Sequence, residues 1–197
     1  MTCEPHKDRF INAFPLATLV LVDMRKDCLS SVMSLRRSDI AGILSNCRAA
    51  LAHARRIGWP VAFVRRGRNC AADQSGEWIK GFEPQRSEAL FDQRNGSCYS
   101  SPYFAQGVKE AGGSVVLAGF LGSGGCLSTC ADAFLAGQRM VFLSDATLDD
   151  VSRRMFDEPS ARLLRTFTSF DIATLTTSAW IKATVQFPVT DDRQHFA

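Results

Sequence analysis

Two apolar runs in this chain end in groups that can do chemistry. Ala17-Thr18-Leu19-Val20-Leu21-Val22 stops at Asp23. Ser114-Val115-Val116-Leu117-Ala118 runs into the glycine-dense stretch Gly119-Phe120-Leu121-Gly122-Ser123-Gly124-Gly125-Cys126. Glycines at 122, 124 and 125 adopt backbone conformations closed to other residues and let a ligand approach the main chain; the helix that follows presents unpaired N–H groups. Such an elbow suits an anion or an oxyanion. A carboxylate at the end of a buried strand either caps the next turn or projects over the sheet edge as an acid or base, and position alone leaves both open for Asp23. Cys126 is likewise open. With a base and a cation beside it, its thiolate is a nucleophile; without them it is a small apolar residue at a helix start, as Cys130 is one turn later.

The elements around these groups alternate. Ser114–Ala118 is β-branched and apolar, as a strand buried on both faces should be, and Leu127, Cys130, Ala131, Phe134 and Leu135 recur at helical spacing up to Ala136, with Gly137 as the helix stop. Ser38-Asp39 reads as an N-cap for a helix with the stripe Ile40, Ile43, Leu44, Cys47, Leu51 and Ala54, ending near Gly58. Trp59–Val64 is a second strand. Arg65 to Glu88 is polar and irregular, the expected lid, with a short helical turn at Glu77–Lys80. Ala89–Asp92 is a third strand, Pro102 to Lys109 a helix, Arg139–Ala146 a fifth strand, Glu158–Phe167 a helix, Asp171–Thr176 a sixth strand and Ser178–Ala183 a last helix, before a frayed tail at Asp191–His195. The expected architecture is a three-layer α/β/α fold of Rossmann-like type with a mostly parallel sheet of about six strands. It forms a single domain over 1–197 whose core is about 17–185.

Bulk composition narrows the function classes. A chain of 197 residues, 46% hydrophobic and 22% charged, is an ordinary water-soluble composition. A formal charge of +3 with scattered arginines does not make a nucleic-acid surface; the Arg65-Arg66-Gly67-Arg68 cluster is either a solvated loop or a grip on an anionic substrate. Seven cysteines form no disulfide or zinc-ligand spacing, so reduced thiols and a cytoplasmic location are expected. Three histidines, His6, His53 and His195, share no ligand spacing, and no metal, cofactor, membrane or nucleic-acid partner is expected.

The motifs themselves resemble the isochorismatase-like hydrolases, or cysteine hydrolases, a family that includes isochorismatases, nicotinamidases and carbamoylsarcosine amidases. The resemblance runs from Ala17 to about Ala183. Members begin with a strand ending Asp-Met-Gln-Asn-Asp-Phe, and Asp23-Met24-Arg25-Lys26-Asp27-Cys28 keeps the Asp, the Met and the second Asp. The resemblance implies Asp23 as the catalytic acid or base. Members also carry a nucleophilic Cys seven residues before Asp-Ala; counting back from Asp132-Ala133 lands on Gly125, with Cys126 one residue late. Isochorismatases of siderophore and phenazine pathways place Gly at that position, and Gly125-Cys126, Thr129 and Asp132-Ala133-Phe134 match one of their patterns. Asp145-Ala146 agrees with the family's next strand end. After the third strand the family expects Lys-x-x-x-Ser-Ala-Phe, and Gln93-Arg94-Asn95-Gly96-Ser97-Cys98-Tyr99 keeps the Ser and an aromatic but puts Gln93 in place of Lys; a register shifted by one would put Asp92 there. Arg94 and Lys80 are the alternative cations. The nicotinamidase metal motif is absent, since Arg65 to Lys80 contains no histidine.

The resemblance therefore implies a hydrolase for a small carbonyl- or carboxylate-bearing metabolite. With Cys126 at the reactive position, Asp23 deprotonates a thiol that attacks an amide or acyl group; with Gly125 there, Asp23 protonates the enol carbon of a vinyl ether. Gln93, Arg94, Tyr99, Gly122 and Gly124 are the expected substrate-binding residues, with Arg65 and Arg66 as further carboxylate partners. A homo-oligomer with the site near a subunit contact is expected. The alternative is a family member without catalysis that binds a small molecule or serves in an assembly.

Overall fold

Leu19 and Leu21 point to one side of the first strand, Val20 and Val22 to the other, and all four are fully buried. A strand so enclosed must lie inside a sheet covered on both faces. The computed structural model, which describes residues 17–31, 37–67, 76–121, 125–148 and 172–185, shows that sheet. Its strands are β1 (Thr18–Val22), β2 (Val61–Arg66), β3 (Ala89–Gln93), β4 (Ser114–Phe120), β5 (Arg139–Leu148) and β6 (Ile172–Leu175), in the order β3-β2-β1-β4-β5-β6. Among the described residues every strand pairing is parallel, in keeping with the expected parallel sheet of about six strands. The order reverses between β1 and β4, the switch point at which open α/β sheets leave a crevice outside their carboxyl ends.

The helices are α1 (Lys26–Ser31), α2 (Arg37–Arg56), α3 (Phe104–Glu110), α4 (Gly125–Leu135) and α5 (Thr177–Thr184), with a 3-10 turn at Cys98–Ser100. One face of the sheet buries Leu19, Leu21, Phe63, Val116 and Leu143 against Cys47, Leu51 and Ala54 of α2 and Trp180 of α5. The other buries Val20, Val22, Val64, Val115 and Leu117 against Phe104 and Val108 of α3 and Cys126, Cys130 and Ala133 of α4.

Several expectations change. α2 begins at Arg37, ahead of Ser38, whose hydroxyl donates to Asp39 Oδ1 (3.2 Å) instead of capping the helix. α3 starts at Phe104, not Pro102. Glu77–Lys80 is no helical turn: Trp78 bridges Arg25 in antiparallel fashion. Nor is that part of the segment a lid, because Ile79 and Phe82 are buried and the Trp78 ring packs edge-on to Phe63 at 5.4 Å. In α4 the buried residues are Gly125, Cys126, Thr129, Cys130 and Ala133, whereas Leu127, Phe134 and Leu135 are exposed. The apolar stripe read from the sequence is thus rotated away from the sheet, because the small residues let the helix lie close to it. Gly137, at φ +65°, ends the helix as expected, with Gln138 N–H donating to Ala133 O and Gly137 N–H to Phe134 O. The helix expected at Glu158–Phe167, the tail, and Gly122 and Gly124 lie outside the described residues.

Candidate active site

β1 ends in a sharp change of direction. Asp23 has φ +52°, the left-handed region that costs a non-glycine residue about 1–3 kcal/mol and that Asp and Asn tolerate best. Arg25 N–H donates to Asp23 O at 2.7 Å, closing a three-residue turn around buried Met24. The neighbouring strand must allow this. Gly119 pairs with Val22 at φ +109°, and a Cβ there would lie 2.3 Å from Val22 O and 2.6 Å from Val22 N. Only glycine lets β4 close against the end of β1, and the β4–β5 register shifts between Leu117 and Gly119.

The Asp23 carboxyl sits over the ends of three adjacent strands and is 2% exposed. Its Oδ1 accepts from the Arg66 N–H of β2 at 2.7 Å, and its Oδ2 from Gln93 Nε2 at the end of β3 at 3.4 Å. Both donors are neutral groups. Burial raises the Asp23 pKa above the ordinary carboxylate value; the Arg66 amide and the charges of Arg66 and Arg25 pull against burial, and Asp27 adds to it. Among the described residues no Lys or Arg forms an ion pair with Asp23. Arg25 is instead paired through Nε and Nη2 with Asp27, at 3.0 and 2.5 Å. Gln93 is fully buried, and its Oε1 is enclosed without a hydrogen-bond partner among the described residues.

The loop that follows Gln93 meets the start of α4. A Cβ on Gly125 would meet Gly96 O at 3.0 Å and Leu121 Cβ at 3.4 Å, so Gly125 backs onto the loop that carries Gln93. Cys126 is fully buried in the apolar layer that also holds Val22, Cys98, Leu121 and Cys130. The loop is laced to α4: Ser97 Oγ donates to Asp132 Oδ2 (2.6 Å) and accepts from Tyr99 N–H (3.2 Å), and Cys98 N–H donates to Thr129 Oγ1 (3.2 Å). Burial, above all, pushes the Cys98 thiol up to about 12.

Asp23 and Gln93 thus come together, and Gly125 meets the loop after Gln93 at Gly96. The other residues singled out by sequence scatter. Arg94 is exposed, with its N–H donating to Ser100 Oγ at 2.8 Å. Tyr99 donates its hydroxyl to Gln138 Oε1 at 2.5 Å and packs edge-on to Phe104. Arg65 is paired with Asp92 across β2 and β3 at 2.5 Å, which places Asp92 on the surface and Gln93 inside. Lys80 is exposed. Sequence reasoning missed Cys28, a half-buried thiol on α1 pushed up to about 12 by burial and then by the Asp23 and Asp27 charges. It also missed the Ser97–Asp132 tie, although both residues stood in the motifs. Among the described residues no cluster of His, Cys, Asp and Glu is arranged to hold a metal ion, and no helix is long and apolar enough to cross a membrane.

The profile of the Isochorismatase domain family matches residues 17–175. A search of curated proteins gives no match. Among solved structures the chain is similar to an isochorismatase from Pseudomonas putida KT2440, at 19% identity over 84% of this chain and 90% of that one with a TM-score of 0.67. It is similar to a cysteine hydrolase from Pseudomonas syringae pv. phaseolicola 1448A, at 18% identity over 88% and 94% with a TM-score of 0.68. It is also similar to an N-carbamoylsarcosine amidase from Thermoplasma acidophilum, at 19% identity over 82% and 96% with a TM-score of 0.62. At such identities the likeness speaks for the fold.

Proposed function

We propose, for a chain that belongs to the isochorismatase domain family, the acid-catalysed hydrolysis of a small carboxylate-bearing enol ether, with Asp23 as the general acid. The Asp23 Oδ2–H proton goes to the enol carbon, whose π electron pair forms the new C–H bond and leaves an oxocarbenium ion. Water adds to that ion, and the hemiketal then breaks its ether C–O bond to give an alcohol and a ketone. The observation that carries this reading is the environment of Asp23: a carboxyl 2% exposed and without an ion pair among the described residues, whose acid form burial favours over the pull of the Arg66 N–H.

Two further features support it. Gly125, at the family's nucleophile position, offers no reactive side chain and fits against Gly96, while Cys126 is packed in the apolar layer. Gln93 in place of lysine removes the cation that a thiolate would use. Arg66 and Arg94, which form no ion pair among the described residues, are the groups available for a substrate carboxylate, since Arg65 is paired with Asp92.

The test is a panel of enol ethers, amides and N-carbamoyl compounds offered to the wild type, Asp23→Asn and Cys126→Ala. The expected result is enol ether hydrolysis that falls about 100-fold or more in Asp23→Asn and persists in Cys126→Ala. Hydrolysis that survives Asp23→Asn sinks the acid role. Amide cleavage lost in Cys126→Ala transfers the chemistry to the thiol.

A further inference from the structure

Gln93 differs from the lysine of the family pattern in more than charge. A lysine ammonium only donates, whereas a carboxamide donates at Nε2 and accepts at Oε1, two ends of nearly equal size that a half-turn of the last side-chain torsion exchanges. At Gln93 the two ends have unequal surroundings. Nε2 donates to Asp23 Oδ2 over a long 3.4 Å, while Oε1 is enclosed and meets no donor among the described residues. Among the described residues no donor holds Oε1 at the far end, so of these groups Asp23 decides which end faces it.

An ionised Asp23 only accepts, and it calls for Nε2. A protonated Asp23 carries a donor on Oδ2, because Oδ1 already accepts from the Arg66 N–H at 2.7 Å. The matching partner for that donor is Oε1. We propose that Gln93 is a positioning residue that follows the Asp23 proton: in the resting protein its amide is turned so that Oε1 accepts Oδ2–H, and it turns back to present Nε2 once the proton has left. The amide gains and loses no atoms. The proton passes from Oδ2 to the substrate carbon and is later replaced from water. Gln93 thereby aims the acid before transfer and steadies the carboxylate after it, with no fixed positive charge to ionise Asp23 beforehand. The second half of this cycle rests on the acid role proposed above; the first half is a property of the ligand-free protein.

The groups facing Asp23 leave room for the acid form. Arg66 on β2 and Arg25 after β1 are positive, Asp27 and Cys28 on α1 and Cys98 on the 3-10 turn surround the rest, and the net effect of burial is to favour protonation. Arg25 has its own carboxylate partner in Asp27.

Carbon-13 resonances of the Asp23 carboxyl and the Gln93 side-chain carbonyl, followed against pH in the ligand-free full chain, test the inference. Asp23→Asn assigns the signals and serves as the control. The expected result is a Gln93 carbonyl that moves downfield, as an accepted hydrogen bond requires, with the same midpoint as the Asp23 carboxyl, and that loses its pH dependence in Asp23→Asn. Gln93→Met then lowers kcat about tenfold with KM within about twofold. A flat or upfield-moving carbonyl beside a titrating Asp23 overturns the inference and leaves the acid role standing. A coupled titration in a protein that hydrolyses no enol ether defeats the hydrolase reading alone. An Asp23 that is ionised throughout from about pH 4 to about pH 9 overturns both.

Discussion

Asp23→Asn should make this protein more stable at neutral pH while removing its chemistry. Asparagine keeps the shape of the carboxyl and tolerates the φ of +52° as well as aspartate does. Its Oδ1 can accept from the Arg66 N–H as Asp23 Oδ1 does now, and its amide donates to Gln93 Oε1 once the Gln93 carboxamide turns over from the orientation in which Nε2 faces position 23. One term then favours the variant. Turning the Gln93 carboxamide leaves one of its two polar ends enclosed before and after, so it adds no net gain. Removing a buried ionisation returns about 1.4 kcal/mol for each unit by which the folded pKa of Asp23 exceeds its unfolded value. The sign follows from burial. Because the folded pKa is raised, the folded state binds the proton more tightly than the unfolded chain. Wild-type stability is therefore undiminished below the unfolded value of 3.8, falls as pH rises toward the folded pKa, and is level above it. With an m-value of about 2 kcal/mol/M, each kcal/mol of that gain at pH 7 raises the urea midpoint by about 0.5 M. The assay is urea unfolding of both proteins across a pH series. The gap should be widest at neutral pH and close as pH falls toward about 4, where the wild-type carboxyl carries the same donor. A variant less stable than the wild type at pH 7, or a gap that does not change with pH, would refute the assigned environment of Asp23.

Two other perturbations test the surrounding frame. Gly119→Ala combines a φ of +109° with a Cβ 2.3 Å from Val22 O. Backbone strain and overpacking against main chain each cost about 1–3 kcal/mol, so a loss of about 2–6 kcal/mol is expected by urea unfolding. Gly113→Ala, at φ +73° in open space, should lose only about 1–2 kcal/mol, and equal losses at the two positions would contradict the close-approach argument. The second perturbation is acid. Arg56 Nη2 donates to His53 Nδ1 at 2.8 Å, and His53 Nε2 lies 2.7 Å from Thr184 Oγ1, whose own proton goes to Trp180 O. That arrangement needs the neutral ring protonated on Nε2, and burial, then the Arg56 charge, lowers the His53 pKa. The folded state therefore holds this proton less tightly than the unfolded chain. Stability from this group is complete above the unfolded value of 6.5 and is lost as pH falls below it. His53→Gln should flatten the decline in thermal midpoint between about pH 7.5 and about pH 5.5; an unchanged slope would remove His53 from that role.

The parallel sheet was legible because each strand is a β-branched apolar run bounded by a polar turn, a signal carried within a few residues. α1 was not. It is six residues long and without a stripe, and it is anchored by distant chain: Lys26 N–H donates to Glu77 O, and Ile79 N–H donates to Met24 O. The same pairing turned the expected lid into core at Ile79 and Phe82. At the site, the one-residue choice between Asp92 and Gln93 was readable from strand parity, since Phe91 packs inward and Gln93 shares its side. The choice between Gly125 and Cys126 stayed open in the sequence, and the helix face was misread from side-chain size. Leu127, Phe134 and Leu135 drew the apolar face, while the sheet accepts only the small residues at 125, 126, 129, 130 and 133.

Under the proposed chemistry the departures from the family pattern depend on one another. A thiolate nucleophile needs a base that is ionised at rest and a cation to hold the charge it creates. A neutral Gln93 withdraws the cation. Without it, burial is free to raise the Asp23 pKa, and the residue that would have been the base becomes an acid. An acid that protonates carbon has no use for a side chain at position 125, and glycine there lets Gly96 close to within contact of α4, which brings the Gln93 loop down onto the carboxyl. The ties from Ser97 to Asp132 and from Cys98 to Thr129 then fix that loop to α4. A lysine restored at position 93 alone would ionise Asp23 in a site that holds no nucleophile to activate, and a cysteine restored at position 125 alone would meet an acid in place of a base. Loss of the cation, the raised carboxyl and the bare elbow are therefore one change in the charge of the site, expressed at three positions.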